Sequence, residues 1–578
     1  MKFFHVYNEE CIKGLEINGL LNKDTGFKIQ HCFSVPKERQ FNHIAKVGGK
    51  LHSLIKENSI PFYVDRIAGG ATYYPYSFDK VLIAEYRNLL GDEFLGFQLH
   101  ESASNIRNSD WPHIMREMGS KGPYDAKLLR QKLISPYAVT PEGEFLVGLS
   151  HDTPEHYANC TFAETVPAWM EEVKQMFLRR LRDTDNNILA VDSYYLFTKL
   201  QDELGIRTFM PEVGAQIGQM RIAVALARGI ARGSRKKWGT YYECWRAELD
   251  EHNNFNYCMP CFNLDPINEW YLKQEAHPDD FTTHGPNGGS SRLLQERIYY
   301  HTLMSGADYF GEEWGLNCSY TDMQTFDLSP YGQIKKRFIG QALELQNVKA
   351  MIPFAIVLPK EYGSVMVMEP FTDYTLGNHS DTYMGIPLTA AEKDFYGHVE
   401  DVLKLVFARE EADRGNEGHV LTNSRFGDVF DIIYEDASEE TFARYEALID
   451  ATPDGRFAKA HPERKVLESS DFAKLSRELN ALIARTMPIY ADGLHWLVST
   501  DDKGRRFLTV FNNEGNLRTS AHGDTVDRSF DQKVTITLNI PGELKIFKDA
   551  REDIRLEKTG ENTYCATVSA ADFVIFEF

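Results

Sequence analysis

Between residue 1 and about residue 350, short aromatic-rich apolar runs alternate with amphipathic runs, and this alternation constrains the fold most. Strand-like segments separated by helical segments read as parallel strands with covering helices. Eight strands are expected: Phe3–Tyr7, Phe27–Val35, Phe62–Ile67, Phe94–Glu101, Ile188–Val191, Thr208–Met210, Trp238–Tyr242 and Ala307–Phe310. Helices are expected between them, for example over Thr165–Arg182, where Val166, Trp169, Met170, Val173, Met176, Phe177 and Leu181 recur at helical spacing. Eight such units make a (β/α)8 barrel, which carries its chemistry at the C-terminal ends of the strands.

Several of those ends are acidic. Phe94-Leu-Gly-Phe-Gln-Leu-His-Glu101 is an apolar strand that stops at His100 and Glu101, and Lys237-Trp-Gly-Thr-Tyr-Tyr-Glu243 has the same form. Glu212 follows the sixth strand, Glu312 and Glu313 follow the eighth, Asp192 ends the fifth and Asp65 lies on the third. A buried carboxylate without a task is costly, so a ring of them suggests acid, base or nucleophile roles. The bland readings are a surface glutamate for Glu101, an ion pair with Arg246 for Glu243, and a barrel salt bridge for Asp65 with Arg66.

The barrel is expected to fill residues 1–350. A smaller α/β unit over 351–465 has apolar runs at Phe354–Leu358, Phe430–Tyr434 and Ala447–Ile449, flavodoxin-like in rhythm but with no Gly-rich phosphate loop. Residues 466–578 open with a linker helix and turn to alternating strands, which reads as a β-sandwich.

A formal charge of -21 argues against nucleic acid or an anionic membrane as partner. No apolar run approaches the ~20 residues of a membrane span, and the first residues lack the core of a signal peptide. The eight cysteines are therefore expected as reduced thiols in a cytoplasm, and the lone Cys258-Met-Pro-Cys261 lacks the second ligand pair of a structural zinc site. The basic run Arg232-Gly-Ser-Arg235-Lys-Lys237 is expected as a solvated turn at the bottom of the barrel.

Barrel, small α/β unit and β-sandwich, in that order, resemble family 42 β-galactosidases and the wider clan A of retaining glycosidases, as architecture over the whole length. The resemblance implies an acid/base at the end of strand four and a nucleophile at the end of strand seven, where Glu101 and Glu243 fall. It implies a tryptophan under the sugar at strand eight, where Trp314 stands. The clan's Asn-Glu at strand four is His100-Glu101 here, so His100 would take over the bond to the sugar 2-hydroxyl, as in a divergent member. The activity implied is retaining exo-β-glycoside hydrolysis, galactose first among the sugars, by a homo-oligomer, trimer or dimer, that needs no cofactor and no metal.

Retaining chemistry needs two carboxyl groups about 5–5.5 Å apart, one protonated and one ionised. Asp65, Tyr242, Glu212 and Glu313 are candidate sugar contacts, with Glu212 and the Glu312/Glu313 pair as rival nucleophiles. Inversion would need a wider gap, such as Glu101 with Glu312. A degenerate, purely carbohydrate-binding protein is the reading from outside enzymology.

Overall fold

The computed structural model describes residues 1–7, 9–30, 40–69, 72–73, 77–100, 165–192, 197–214, 219–244, 248–249, 255–256, 290–313, 319–322, 324–361, 382–383, 386–387, 389–408, 420–519 and 523–578. Glu101, Trp314, Arg246 and the Cys258/Cys261 pair lie outside these residues, as do the side chains of His100 and Arg66.

Eight parallel strands close on themselves. They are β1 (Lys2–Val6), β2 (Thr25–Gln30), β3 (Phe62–Gly69), β4 (Phe94–His100), β5 (Ile188–Val191), β6 (Thr208–Phe209, resumed as Glu212–Gly214), β7 (Lys237–Glu243) and β8 (Tyr309–Glu313). Each pairs with the next, and β8 pairs with both β7 and β1, which closes the barrel. The covering helices are α1 (Glu9–Ile17), α2 (Lys50–Asn58), α3 (Lys80–Leu90), α4 (Val166–Asp183), α5 (Thr198–Glu203), α6 (Met220–Ser234), α7 (Arg292–Met304) and α8 (Pro330–Ala342). A short helical turn, Phe41–Ile44, precedes α2, and Gly48 and Gly49 separate the two.

Alternation along the strands sorts the side chains into two sets. Phe4, Tyr63, Leu95, Leu189, Val191, Met210, Tyr241 and Tyr309 form one closed cluster, the barrel plug. Their neighbours in sequence, such as Phe3, Phe62, Phe94, Tyr242 and Phe310, belong to the layer between strands and helices. In the plug, Phe4 meets Tyr63 and Tyr309 edge-on at centroid distances of 5.0 and 5.6 Å. Each such buried side chain contributes roughly 1.5–3 kcal/mol relative to exposure.

A second sheet of four parallel strands follows: β9 (Phe354–Leu358), β10 (Phe430–Tyr434), β11 (Ala447–Asp450) and β12 (Val466–Glu468), in spatial order β10-β9-β11-β12. After the helix Phe472–Thr486 come two antiparallel sheets, one of five strands that includes His495–Thr500 and Arg506–Asn512, and one of four that includes Gln532–Leu538. Lys349–Ala350, at the expected end of the barrel segment, forms the edge of the five-stranded sheet.

Helix α6 is shared between layers. Met220 to Ala231 are all buried, because one side covers β7 and the other lies on β10. Gly229 permits this: a Cβ there would stand 2.3 Å from the Ile432 carbonyl oxygen. The basic run beyond it is not simply a solvated turn, since Arg232 pairs with Asp431 at 2.9 Å and Arg235 with Glu440 at 2.8 Å, both on the second sheet's unit. No helix among the described residues is long and apolar enough to cross a membrane.

Candidate active site

On several strands the plug ends two or more residues short of the C-terminal lip, and polar residues take the inward positions beyond it. On β7, Tyr241 belongs to the plug, so Glu243, two residues on, faces the same lumen. On β8, Tyr309 and Gly311 face inward; a Cβ on Gly311 would touch Tyr63, Tyr241 and Met210. Glu313 continues that face. Glu243 and Glu313 are register partners on neighbouring strands, which places their backbones about 4.8 Å apart. Glu212 is the register partner of Tyr241 and follows Met210 on the inward face of β6. All three carboxylates are buried.

Gly214 stands beside Glu243 on β6. A Cβ at 214 would lie 2.6 Å from the Glu243 Cβ and 2.9 Å from its Oε2. The missing side chain is what leaves room for the Glu243 carboxylate over strand six.

Opposite them, Lys28 of β2 reaches across the lumen. Its Nζ lies 2.9 Å from Asp65 Oδ2, donates to the Glu312 carbonyl, and sits 5.3 Å from the Tyr241 ring centroid. The Tyr241 hydroxyl stands 3.4 Å from Asp65 Oδ1. Both Lys28 and Asp65 are almost wholly buried, so the pair holds only because each neutralises the other. On the lumen face the described residues thus set four carboxylates against one ammonium.

The strand-tip residues that alternate outward have other duties. Glu312 faces the helices: Lys335 of α8 binds its Oε2 at 2.5 Å and the Tyr299 hydroxyl donates to its Oε1. Burial first, and then Glu312, hold the Tyr299 phenol well above its ordinary range. A Glu101/Glu312 pair across the lumen is therefore ruled out by the face on which Glu312 lies. Tyr242 is a correction of the same kind. Expected to touch sugar, it lies between strands and helices, its hydroxyl bonded to Ser290 and its ring stacked on Tyr331 at 6.4 Å. Asp192 is likewise taken up by Gln201 of α5. Asp65 finds a partner in Lys28 on β2.

Local sequence explains why these tips sit where they do. Ser291 caps α7 by accepting from the Leu294 amide at 2.9 Å, and the Ser290 amide donates to the Cys244 carbonyl at 2.9 Å. The chain leaving Glu243 is thereby tied to the start of the following helix. Lys28 was missed from sequence; its signal is a lone lysine between the apolar Phe27 and Ile29 of a buried strand.

Among the described residues, three groups bring metal-capable atoms within 4.8 Å: His301/Asp428/His495, Glu439/His461/Glu463 and Asp549/Asp553/Asp572. None lies in the lumen. The second is exposed beside Arg464, and the third is countered by Arg551 and Arg528. The first already has Arg221 on its carboxylate.

No protein-family model matches the sequence, and no curated protein does. Among solved structures, the chain aligns over 100% of its length with 98% of the catalytic module of a family 98 glycoside hydrolase from Streptococcus pneumoniae TIGR4, at 9% identity and TM-score 0.39. It aligns equally fully with 98% of alpha-L-fucosidase isoenzyme 2 from Paenibacillus thiaminolyticus (8%, 0.40) and with 82% of an exo-carrageenase GH42 from Bacteroides ovatus (10%, 0.40). Scores this low carry no argument, and the barrel stands on its own strand register.

Proposed function

We propose that the chain is a glycoside hydrolase that works by retention, with Glu243 as the nucleophile and Glu101 as the acid/base. The observation that supports it is the inward-facing Glu243 at the C-terminal lip of the seventh barrel strand, above an apolar plug and beside Glu313 and Glu212. A carboxylate held among aromatic walls and excluded from bulk water is suited to attack an anomeric carbon, while a second carboxyl group protonates the leaving oxygen. Asp65, held by Lys28, and Glu313 and Glu212 are placed to accept bonds from sugar hydroxyls. His100 and Trp314 keep their proposed roles at the 2-hydroxyl and under the ring. In this reading the second sheet is a flavodoxin-like unit, the two antiparallel sheets are a sandwich, and terminal β-galactosides are the first substrates to try.

Register also favours a second pairing. Glu313 sits next to Glu243 at the same level of an adjacent strand and on the same inward face, as a second carboxyl group of a retaining pair must. Glu313 would then be the acid/base and Glu101 a binding group.

The test is a panel of aryl α- and β-glycosides with the native chain and Glu243→Ala, with and without azide. The expected result is turnover of one glycoside, loss of about 10⁴-fold or more in the variant, and rescue as a glycosyl azide of inverted configuration. Near-native turnover by the variant removes Glu243 from the role. With an activated aryl leaving group, only loss of the true acid/base spares the glycosylation step, so Glu101→Gln and Glu313→Gln separate the two pairings.

A further inference from the structure

Away from the lumen, three parts of the chain meet at one buried carboxylate. Asp428, just before β10, offers Oδ1 to Arg221 Nε of α6 at 2.7 Å. Its Oδ2 is shared by His301 Nε2 of α7 at 2.7 Å and His495 Nε2 of the five-stranded antiparallel sheet at 2.6 Å. Arg221 also donates to the carbonyls of Phe407, Thr422 and Phe426 and to Ser424 Oγ, so its guanidinium is fully engaged.

Hydrogen-bond logic settles where the imidazole protons are. Arg297 donates to Asn513 Oδ1 at 3.0 Å, which turns the Asn513 amide nitrogen toward His495 Nδ1 at 2.9 Å. His495 Nδ1 is thus an acceptor, and its proton is on Nε2, directed at Asp428. His301 Nε2 faces the same carboxylate oxygen and must also donate. Its Nδ1 is buried and has no hydrogen-bond partner among the described residues. Both rings are neutral donors and cannot offer Nε2 lone pairs to a cation. The charge of the cluster is closed: Arg221 against Asp428.

The helices gripped here bracket one strand. α6 leads into β7 and α7 leads out of it, and β7 ends at Glu243. A second link runs the same way: Asn516 of the C-terminal region donates to Ser291 Oγ, the cap of α7, at 2.6 Å.

We propose that this junction is a proton-operated lock, in which neutral His301 and His495 fasten the two accessory units onto the helices flanking the Glu243 strand, and uptake of a proton at His301 Nδ1 or His495 Nδ1 releases them. An added proton at either ring faces Arg221 and Arg228 of α6 and, on the α7 side, Arg297; Arg221 already takes up the Asp428 charge, and Asp431 is held by Arg228 and Arg232, so no spare carboxylate among the described residues meets the new charge. At His301 it makes an N–H with no acceptor; at His495 it makes an N–H aimed at the Asn513 amide. Burial depresses both imidazoles against the pull of Asp428, His495 to about 3. The sign follows: a depressed histidine binds its proton only in the open state, so the lock is fully closed above the ordinary value near 6.5 and loosens as pH falls below it. The lock does not depend on the glycosidase reading; only its consequence for turnover does.

The experiment is hydrogen exchange of the full chain at pH 7.5 and 5.5, corrected for intrinsic rates, read at amides around Asp428, His495 and α7. The native opening equilibrium should rise about tenfold per histidine over that interval. His301→Gln and His495→Gln, which keep a donor to Asp428 but take no proton, should each remove their own tenfold. An unchanged rise in both variants overturns the proposal. If the variants do not fold, nitrogen chemical shifts of the native imidazoles decide: the neutral Nε2–H form of both at pH 7.5 is expected, and an imidazolium at either overturns it. Added Zn²⁺ that protects the junction in the native chain but not in His301→Gln also overturns it, because the rings would then serve a metal.

Discussion

The barrel lumen and the Asp428 junction both bury clusters of charge, yet they are built on opposite plans. At the junction one guanidinium meets one carboxylate, both carboxylate oxygens are saturated, and two neutral imidazoles complete the bonding. Burial pushes Asp428 toward protonation, but Arg221 and the two histidines outweigh it and hold the acid well below its usual range. In the lumen Asp65, Glu212, Glu243 and Glu313 share a face with Lys28 as the one cation the described residues place there. A closed network rigidifies and specifies architecture, whereas carboxylates gathered at the mouth of a barrel point to work on a substrate. The difference separates what holds this protein together from what it is for.

The sharpest way to break that contrast is to remove an acid from each. Asp428→Ala should cost about 3–5 kcal/mol, because Arg221 is left buried and unpaired, seen as a large fall in melting temperature at pH 7.5. Glu243→Gln should melt at or above the native temperature while losing turnover, since a site's working groups are commonly kept at a cost in stability. Equal losses of stability in both would erase the distinction. Lys28→Met should follow, at about 3 kcal/mol, with most of it restored in the double variant Lys28→Met/Asp65→Leu, as expected of a buried pair replaced by apolar groups; a double variant as weak as the single would mean that Lys28 serves more than Asp65. Gly214→Ala is smaller, about 1–3 kcal/mol of overpacking, but should depress turnover because the intruding methyl meets Glu243. Tyr242→Phe should be smallest, about 0.5–1.5 kcal/mol for the bond to Ser290, with KM unchanged. A raised KM there would mean that this ring reaches the lumen after all.

Much of the scaffold was legible. All eight barrel strands were placed from apolar runs and their turn signals, since a strand buried on both faces is apolar throughout and needs no partner to announce itself. Glu243, Glu212 and Glu313 were legible as acidic ends to those runs. Which tips face inward was harder, because a run apolar on both faces carries no alternation to read. Hence the sequence offers Tyr242 as a sugar contact and does not separate Glu312 from Glu313, although one residue's shift turns a side chain from lumen to helix layer. Lys28 was invisible as a partner for Asp65, which lies far along the chain on the next strand.

The sequence alone therefore determined the order of elements, the barrel and the acidic strand ends, because local periodicity and composition encode which segments are buried and how they are spaced. Only the tertiary structure decided which carboxylates share the lumen, which cation answers Asp65, and that Asp428, Arg221, His301 and His495 form one junction. Those are pairings between residues dozens to hundreds of positions apart, set by strand register and by the packing of helices against sheets, and no local pattern in the chain records them.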